Sequence, residues 1–129
     1  MLKTGILNPQ ILSLISRTRH TNTLVIADRD FPFWPQIETV DITLVDDIPT
    51  VLQVLAAIKP NFKIGGIYMA QEFTQVNDDA VQAAFSRAID PIPLVLEPHV
   101  EFKTRIPHAV GLIRTADKIP YANMILVSA

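Results

Sequence analysis

The sequence predicts an α/β fold: a single layered domain in which a mixed β-sheet is flanked by helices. Short apolar runs rich in β-branched residues, such as TLVIA and MILV, alternate along the chain with segments of helical period. The first of these runs is apolar throughout, as expected for a strand covered on both faces. The last two runs lie close together in the sequence, which argues against a purely parallel sheet.

In the first half, Asn8 and Pro9 are typical of a helix cap and a first helical position, and the helix should end near Arg19. TLVIAD follows as a strand, so that Asp28 lies at its carboxyl end. A second strand, TVDITL, precedes a helix predicted to start at Asp47. The inner face of that helix should carry Val51, Leu52, Leu55 and Ile58.

In the second half, KIGGIYMA is a predicted strand and NDDAVQAAFSRAI a predicted helix with acidic residues at the positive end of its dipole. IPLVLE supplies a fourth strand. A short helix from about Pro98 to Arg105 then places His99 and Lys103 on one face, because they are four residues apart. AVGLIRT and NMILVS complete the sheet, separated by the turn ADKIPYA.

Length and composition exclude several classes of protein. At 129 residues the chain suits one domain, residues 1–129. Its apolar runs stay far below the roughly 18 residues of a membrane-spanning helix. The opening MLKTGILNPQ lacks a signal-peptide pattern, so a soluble, cytoplasmic protein is expected. An apolar fraction of 49% in so small a chain predicts that it forms a homo-oligomer.

The charges and motifs of the sequence limit the partners, metals and cofactors that can be expected. The 11 Lys and Arg residues are scattered among 13 Asp and Glu, which argues against a nucleic-acid partner. There is no cysteine, and the three histidines lack the spacing of zinc motifs, so no metal is expected. The four glycines form neither a phosphate-binding nor a dinucleotide-binding fingerprint. A bound nucleotide is therefore not expected, and no other cofactor is expected either.

Two residues around the first strand are candidates for a site. His20 can belong to a reacting site, or it can join Arg17 and Arg19 in placing positive charge at a helix end. Asp28 lies where ligands of α/β sheets gather, although an aspartate there can also simply form a turn.

Other candidates lie near the carboxyl end of the chain. His99 and Lys103 can contact a ligand or form a solvated helix face. Tyr121 and Asn123 carry phenol and amide groups suited to polyhydroxylated ligands, or they can form a turn. Trp34, which lies between two prolines, can stack on a sugar face, pin the loop or pack against a neighbouring subunit, and packing is the preferred interpretation.

Several segments follow a known pattern. LKTGILNPQILSLIS, RHTNTLVIAD and VDITL occur in order, and HVEFKTRIPHAVGLIRTADKIPYAN then carries H-x-x-F-K, A-V-x-x-I-R-T and P-Y-A-N without a gap. In these segments the chain resembles the D-ribose pyranase and L-fucose mutarotase family, which changes the ratio of ring forms of a free sugar. The ending YAN and the short loop before VDITL resemble the ribose branch.

The resemblance implies residue roles and an assembly. It makes His20 the catalytic histidine. It implies that a monosaccharide is bound by Asp28, His99, Lys103, Tyr121 and Asn123. It also implies a ring of five subunits, or two stacked rings.

This chain departs from the family pattern around Asp28, where Arg29 and Asp30 replace two small residues, and at Arg19 and Asn22. These changes can narrow the site, change the preferred sugar or abolish turnover. An L-fucose-type mutarotase and a non-catalytic sugar-binding protein therefore remain alternatives.

The spacing of His20 and Asp28 adds a geometric expectation. A straight strand over residues 23–28 would leave them at opposite ends, roughly 17 Å apart. The pocket is therefore predicted to lie between subunits, unless the chain bends sharply at residues 21–23.

Overall fold

Five α-helices and six strands organise the chain, and the computed structural model describes all of it, residues 1–129. The helices are α1 (Pro9–Arg17), α2 (Val51–Ile58), α3 (Glu72–Val76), α4 (Asp79–Ile89) and α5 (His99–Arg105). The strands are β1 (Thr23–Ala27), β2 (Glu38–Asp41), β3 (Ile64–Ala70), β4 (Leu94–Glu97), β5 (Gly111–Arg114) and β6 (Met124–Ser128). None of the helices combines the length and hydrophobicity of a membrane span.

The strands form one mixed sheet in the order β2-β5-β1-β6-β3-β4. β6 runs antiparallel to both of its neighbours, and every other adjacent pair is parallel. The predicted mixed α/β sheet is confirmed. β5 and β6 do not pair with each other, because β1 lies between them. Five strands therefore end at one edge of the sheet, here called the carboxyl edge, where β6 begins; the other edge is called the amino edge.

Side chains of β1 alternate between two cores, so the strand is covered on both faces as predicted. Leu24 and Ile26 belong to the larger core, which includes residues of α1, α2 and α4. Val25 and Ala27 belong to the smaller core, which includes Phe102 of α5. Since Leu24 to Ala27 are fully buried, the carboxyl end of β1 is a fixed support for the residues that follow it.

The prediction that the second helix starts at Asp47 is wrong. α2 begins at Val51, where Thr50 and Gln53 form a reciprocal capping box. Asp47 instead lies in a turn with φ of +63°. The first helix ends at Arg17 rather than near Arg19, and the five-residue helix α3 was not predicted.

Candidate functional site

A cleft of about 230 Å³ opens at the carboxyl edge. It is smaller than the roughly 300 Å³ at which pockets for drug-sized ligands begin, so it suits a small molecule. Three segments form it: the loop after β1, the start of α5 and the loop before β6. The lining residues are Asp28, Asp30, Phe31, Pro32, His99, Lys118, Ile119, Pro120, Tyr121 and Asn123.

Asp28 and Asn123 form a reciprocal pair at the centre of the cleft. The backbone N–H of Asp28 donates to Asn123 Oδ1 at 2.7 Å, and Asn123 Nδ2 donates to Asp28 Oδ2 at 3.0 Å. The pair is close because β1 ends beside the start of β6, with Ile26 opposite Met124. The two bonds fix the orientation of the amide. They leave a second amide hydrogen and a carboxylate lone pair for a ligand.

The carboxylate of Asp28 is nearly buried, with 8% of the residue exposed. Burial raises the pKa of Asp28, against the hydrogen bond from Asn123 and the backbone N–H groups of Asp30 and Phe31. The bond from the Asp30 N–H, 3.0 Å long, reaches the second carboxylate oxygen. Asp28 therefore fixes its own loop as well as facing the cleft.

His99 enters the cleft from the first position of α5. Its backbone N–H donates to both carboxylate oxygens of Glu72, each at 3.0 Å. Burial and the nearby cation of Lys103 lower the pKa of His99, with the Glu72 carboxylate opposing them. The imidazole is therefore neutral at neutral pH. Its Nε2 is buried without a hydrogen-bond partner, so one polar atom of the ring is unused.

Tyr121 packs against the imidazole of His99 with ring centroids 5.0 Å apart in a T-shaped arrangement. Its φ of +59° lies in the left-handed region, which is costly for a residue other than glycine. The loop before it is held firmly: Asn77 Nδ2 donates to the Pro120 carbonyl, and the Ile119 N–H donates to Asp117. These bonds offset the strain and keep the phenol at the cleft.

Arg29 does not line the cleft, although it lies between two residues that do. Its guanidinium donates to Asp46 Oδ1 at 2.7 Å and to both oxygens of Asp30 at 3.2 and 3.3 Å. Asp46 lies on the loop between β2 and α2. These ion pairs hold the guanidinium outside the cleft, which stays open.

His20 and Lys103 are not among the lining residues. His20 is exposed on the turn between α1 and β1, at the amino edge. The bend predicted as one possibility is present, since the Asn22 N–H donates to the Arg19 carbonyl and Thr21 has φ of +67°. That bend does not bring His20 into the cleft of its own subunit. Lys103 is exposed one turn after His99.

The structure thus brings together four of the predicted residues, Asp28, His99, Tyr121 and Asn123. Several lining residues were missed, among them Phe31 and Lys118. Glu72, which holds the start of α5, was also missed; it lies two residues after β3 ends, so the strand-end rule applied to Asp28 would have indicated it. Trp34 packs against Phe31 and does not line the cleft.

Residues 1–129 match the model of the RbsD / FucU transport protein family. A D-ribose pyranase of Geobacillus kaustophilus is 36% identical over 128 residues, covering 99% of this chain and 93% of that protein. Bacillus subtilis RbsD, solved in complex with D-ribose, superposes with a TM-score of 0.91 at 26% identity and covers 100% of this chain and 98% of its own. A fucose mutarotase of Streptococcus pneumoniae shares the fold, with a TM-score of 0.78 at 17% identity over 95% and 92% of the two chains.

Proposed function

Because the chain belongs to the RbsD / FucU transport protein family, we propose that it interconverts the ring forms of a free monosaccharide, with D-ribose the first candidate. The observation that carries this proposal is the small polar cleft built around the Asp28–Asn123 pair. The name D-ribose pyranase of the Geobacillus kaustophilus relative and the ribose complex of the Bacillus subtilis relative support it. We place the protein in the cytoplasm, where free sugars are metabolised.

The reaction needs only proton transfers. Opening a pyranose breaks the bond between the anomeric carbon and the ring oxygen, while a proton leaves the anomeric hydroxyl and another reaches the ring oxygen. Closing the ring through a different hydroxyl gives the furanose and returns the protons. One acid and one base suffice, and an imidazole with an ordinary pKa near 6.5 can serve as either at neutral pH.

The lining residues are suited to orienting hydroxyl groups. The free lone pair of Asp28 can accept a hydrogen bond from a sugar hydroxyl, and the spare amide hydrogen of Asn123 can donate one to a neighbouring oxygen. Tyr121 adds a phenol that can do both. His99, neutral at this pH, offers a further polar contact, and Lys103, exposed one turn further along α5, is proposed to contact the ligand from outside the cleft lining.

The proton-transferring group in this proposal is His20, supplied by a neighbouring subunit of a homo-oligomer, a pentamer or a decamer by family resemblance. Its absence from the cleft of its own subunit is what calls for the neighbour. Exposed apolar side chains give such an assembly surface to bury. They include Leu44, Val45 and Ile48 before α2, and Leu94, Val95 and Leu96 on the edge strand β4.

Saturation transfer between the pyranose and furanose NMR signals of free D-ribose tests the proposal. Added protein should speed the exchange, and His20→Ala should not. Binding of ribose without faster exchange would make the protein a sugar-binding protein instead. Faster exchange of the anomers of L-fucose, with ribose unaffected, would make it a mutarotase of the fucose type.

A further inference from the structure

Arg114 does not line the cleft, but it hydrogen-bonds a loop that does. It is the last residue of β5, opposite Ala27 of β1 on one side and Asp41 of β2 on the other. Only 11% of its side chain is exposed. Its single ionic partner is Asp41, at the long distance of 3.9 Å. A nearly buried cation with so weak an ion pair must satisfy its donors elsewhere.

The guanidinium N–H groups of Arg114 donate to carbonyl oxygens of the loop that follows β1. Arg114 Nη1 donates to the carbonyl oxygens of Phe31 at 2.5 Å and Arg29 at 3.2 Å, and more weakly to that of Asp28 at 3.5 Å. Nη2 donates to the Pro32 carbonyl at 3.4 Å. Among the hydrogen bonds outside the helices and strands, no backbone N–H donates to any of these four oxygens. The guanidinium therefore replaces the backbone bonds that a regular turn would make.

The same loop supplies a large part of the cleft. Four of the ten lining residues come from it: Asp28, Asp30, Phe31 and Pro32. Its backbone N–H groups also hydrogen-bond the carboxylate of Asp28. A change in the path of residues 28–32 would move both the carboxylate and the Phe31 ring. We propose that Arg114 is a positioning residue that holds this loop in its ligand-binding shape and thereby sets the affinity for the sugar.

The guanidinium is suited to this task in a way that an ammonium is not. Its donors are fixed in one plane and can serve several carbonyls at once. Lysine presents its three donors from a single nitrogen on a flexible chain, so it can meet fewer of these oxygens. Arg114→Lys therefore keeps the positive charge but removes the planar set of donors that reaches several carbonyl oxygens at once.

Because this inference rests on the proposed function, two measurements test it. In the NMR exchange assay, Arg114→Lys should raise KM for D-ribose about tenfold, with kcat changed by about threefold or less, as expected for losing about one hydrogen bond to a charged group. Arg87→Lys, the same change at an exposed position of α4, should leave both unchanged. An unaltered KM in a folded Arg114→Lys protein would overturn the proposal.

The second measurement does not depend on turnover. Hydrogen exchange of the backbone amides of residues 28–31, followed by mass spectrometry on the full-length protein, should become faster in Arg114→Lys and stay the same in Arg87→Lys. If the wild type fails to accelerate ribose exchange, the proposed function fails, while this result still decides the role of Arg114. Unchanged loop exchange would overturn it, as would unfolding of both Arg114→Lys and Arg114→Gln, since the residue would then support the whole fold.

Discussion

The two ends of β1 carry the two most important candidate residues, and their surroundings differ sharply. At the carboxyl edge, Asp28 is nearly buried and bonded through both carboxylate oxygens. At the amino edge, His20 is exposed on a turn. The first end lies in a cleft formed within one subunit, whereas the second carries an exposed histidine that lines no cleft of its own subunit. In the proposed mechanism, one strand therefore separates the sugar-binding groups from the proton-transferring group, and assembly of subunits would bring them together.

Replacing His20 by alanine should have the largest effect on activity. Removal of a positioned proton-transfer group typically lowers the rate by about 10² to 10⁴. Binding should change little, because the cleft of each subunit keeps its own polar residues. Saturation transfer measures the rate, and titration calorimetry with D-ribose measures the binding.

Mixing two inactive variants tests whether both ends of β1 meet across subunits. His20→Ala and Asp28→Asn proteins, unfolded together and reassembled, should regain part of the activity. Some interfaces would then combine an intact histidine with an intact aspartate. No recovery, with mixed oligomers verified by mass spectrometry, would contradict a site shared between subunits.

Asn123→Ala should cost the most stability among changes at the two ends of β1. It leaves the Asp28 N–H without an acceptor and takes one donor from the buried carboxylate, a loss of about 1–3 kcal/mol. Urea unfolding at matched protein concentration measures it. Asn22→Ala is the matched control at the amino edge, where the residue is exposed, and should cost about 0.5 kcal/mol or less. Equal losses would contradict the contrast drawn between the two edges.

The pKa of Asp28 gives a prediction with a definite sign. Burial raises it above the ordinary value of 3.8, so the folded protein binds this proton more tightly than the unfolded chain. The resulting stability is fully present below pH 3.8 and is lost as the pH rises through the folded pKa. The free energy of unfolding of wild type minus that of Asp28→Asn should therefore fall with rising pH. A difference that rises with pH would contradict it.

The contribution of His99 to stability should depend on pH in the opposite direction. Burial and Lys103 lower its pKa from 6.5, so its contribution to stability is present above pH 6.5 and is lost as the pH falls through the folded value. The difference between wild type and His99→Gln should rise with pH in that window. Together the two variants distinguish the effect of the Asp28 carboxyl on stability from that of the His99 imidazole within one cleft.

The position of Asp28 at the carboxyl edge was more predictable from the sequence than the hydrogen bonds formed there. An apolar run followed by an aspartate is a local signal, and it correctly placed Asp28 at the end of a buried strand. The pairing of Asp28 with Asn123 depends on which strands are neighbours, and 95 residues separate the two. No local pattern encodes that β1 lies between β5 and β6. The donors of Arg114 are a further consequence of that strand order.

The wrong prediction of a helix start at Asp47, before α2, has a different physical origin. The sequence predicts a helix start at Asp47 because aspartate often caps a helix. In the structure its carboxylate accepts the Lys118 N–H at 3.1 Å, a contact across 71 residues. The capping box of Thr50 and Gln53 was visible in the sequence and is the stronger signal.

Arg29→Ala should have the smallest effect and tests whether this chain's departure from the family pattern obstructs its cleft. The guanidinium pairs with Asp46 and Asp30 outside the cleft, and exposed ion pairs of this kind contribute little. KM for ribose should therefore change by about twofold or less. A KM several times lower in the variant would show that the arginine blocks the sugar, and the open cleft would then be only one of its states. An unchanged KM would leave Asp30, which lines the cleft, as the other residue at which the sequence is predicted to depart from the family pattern.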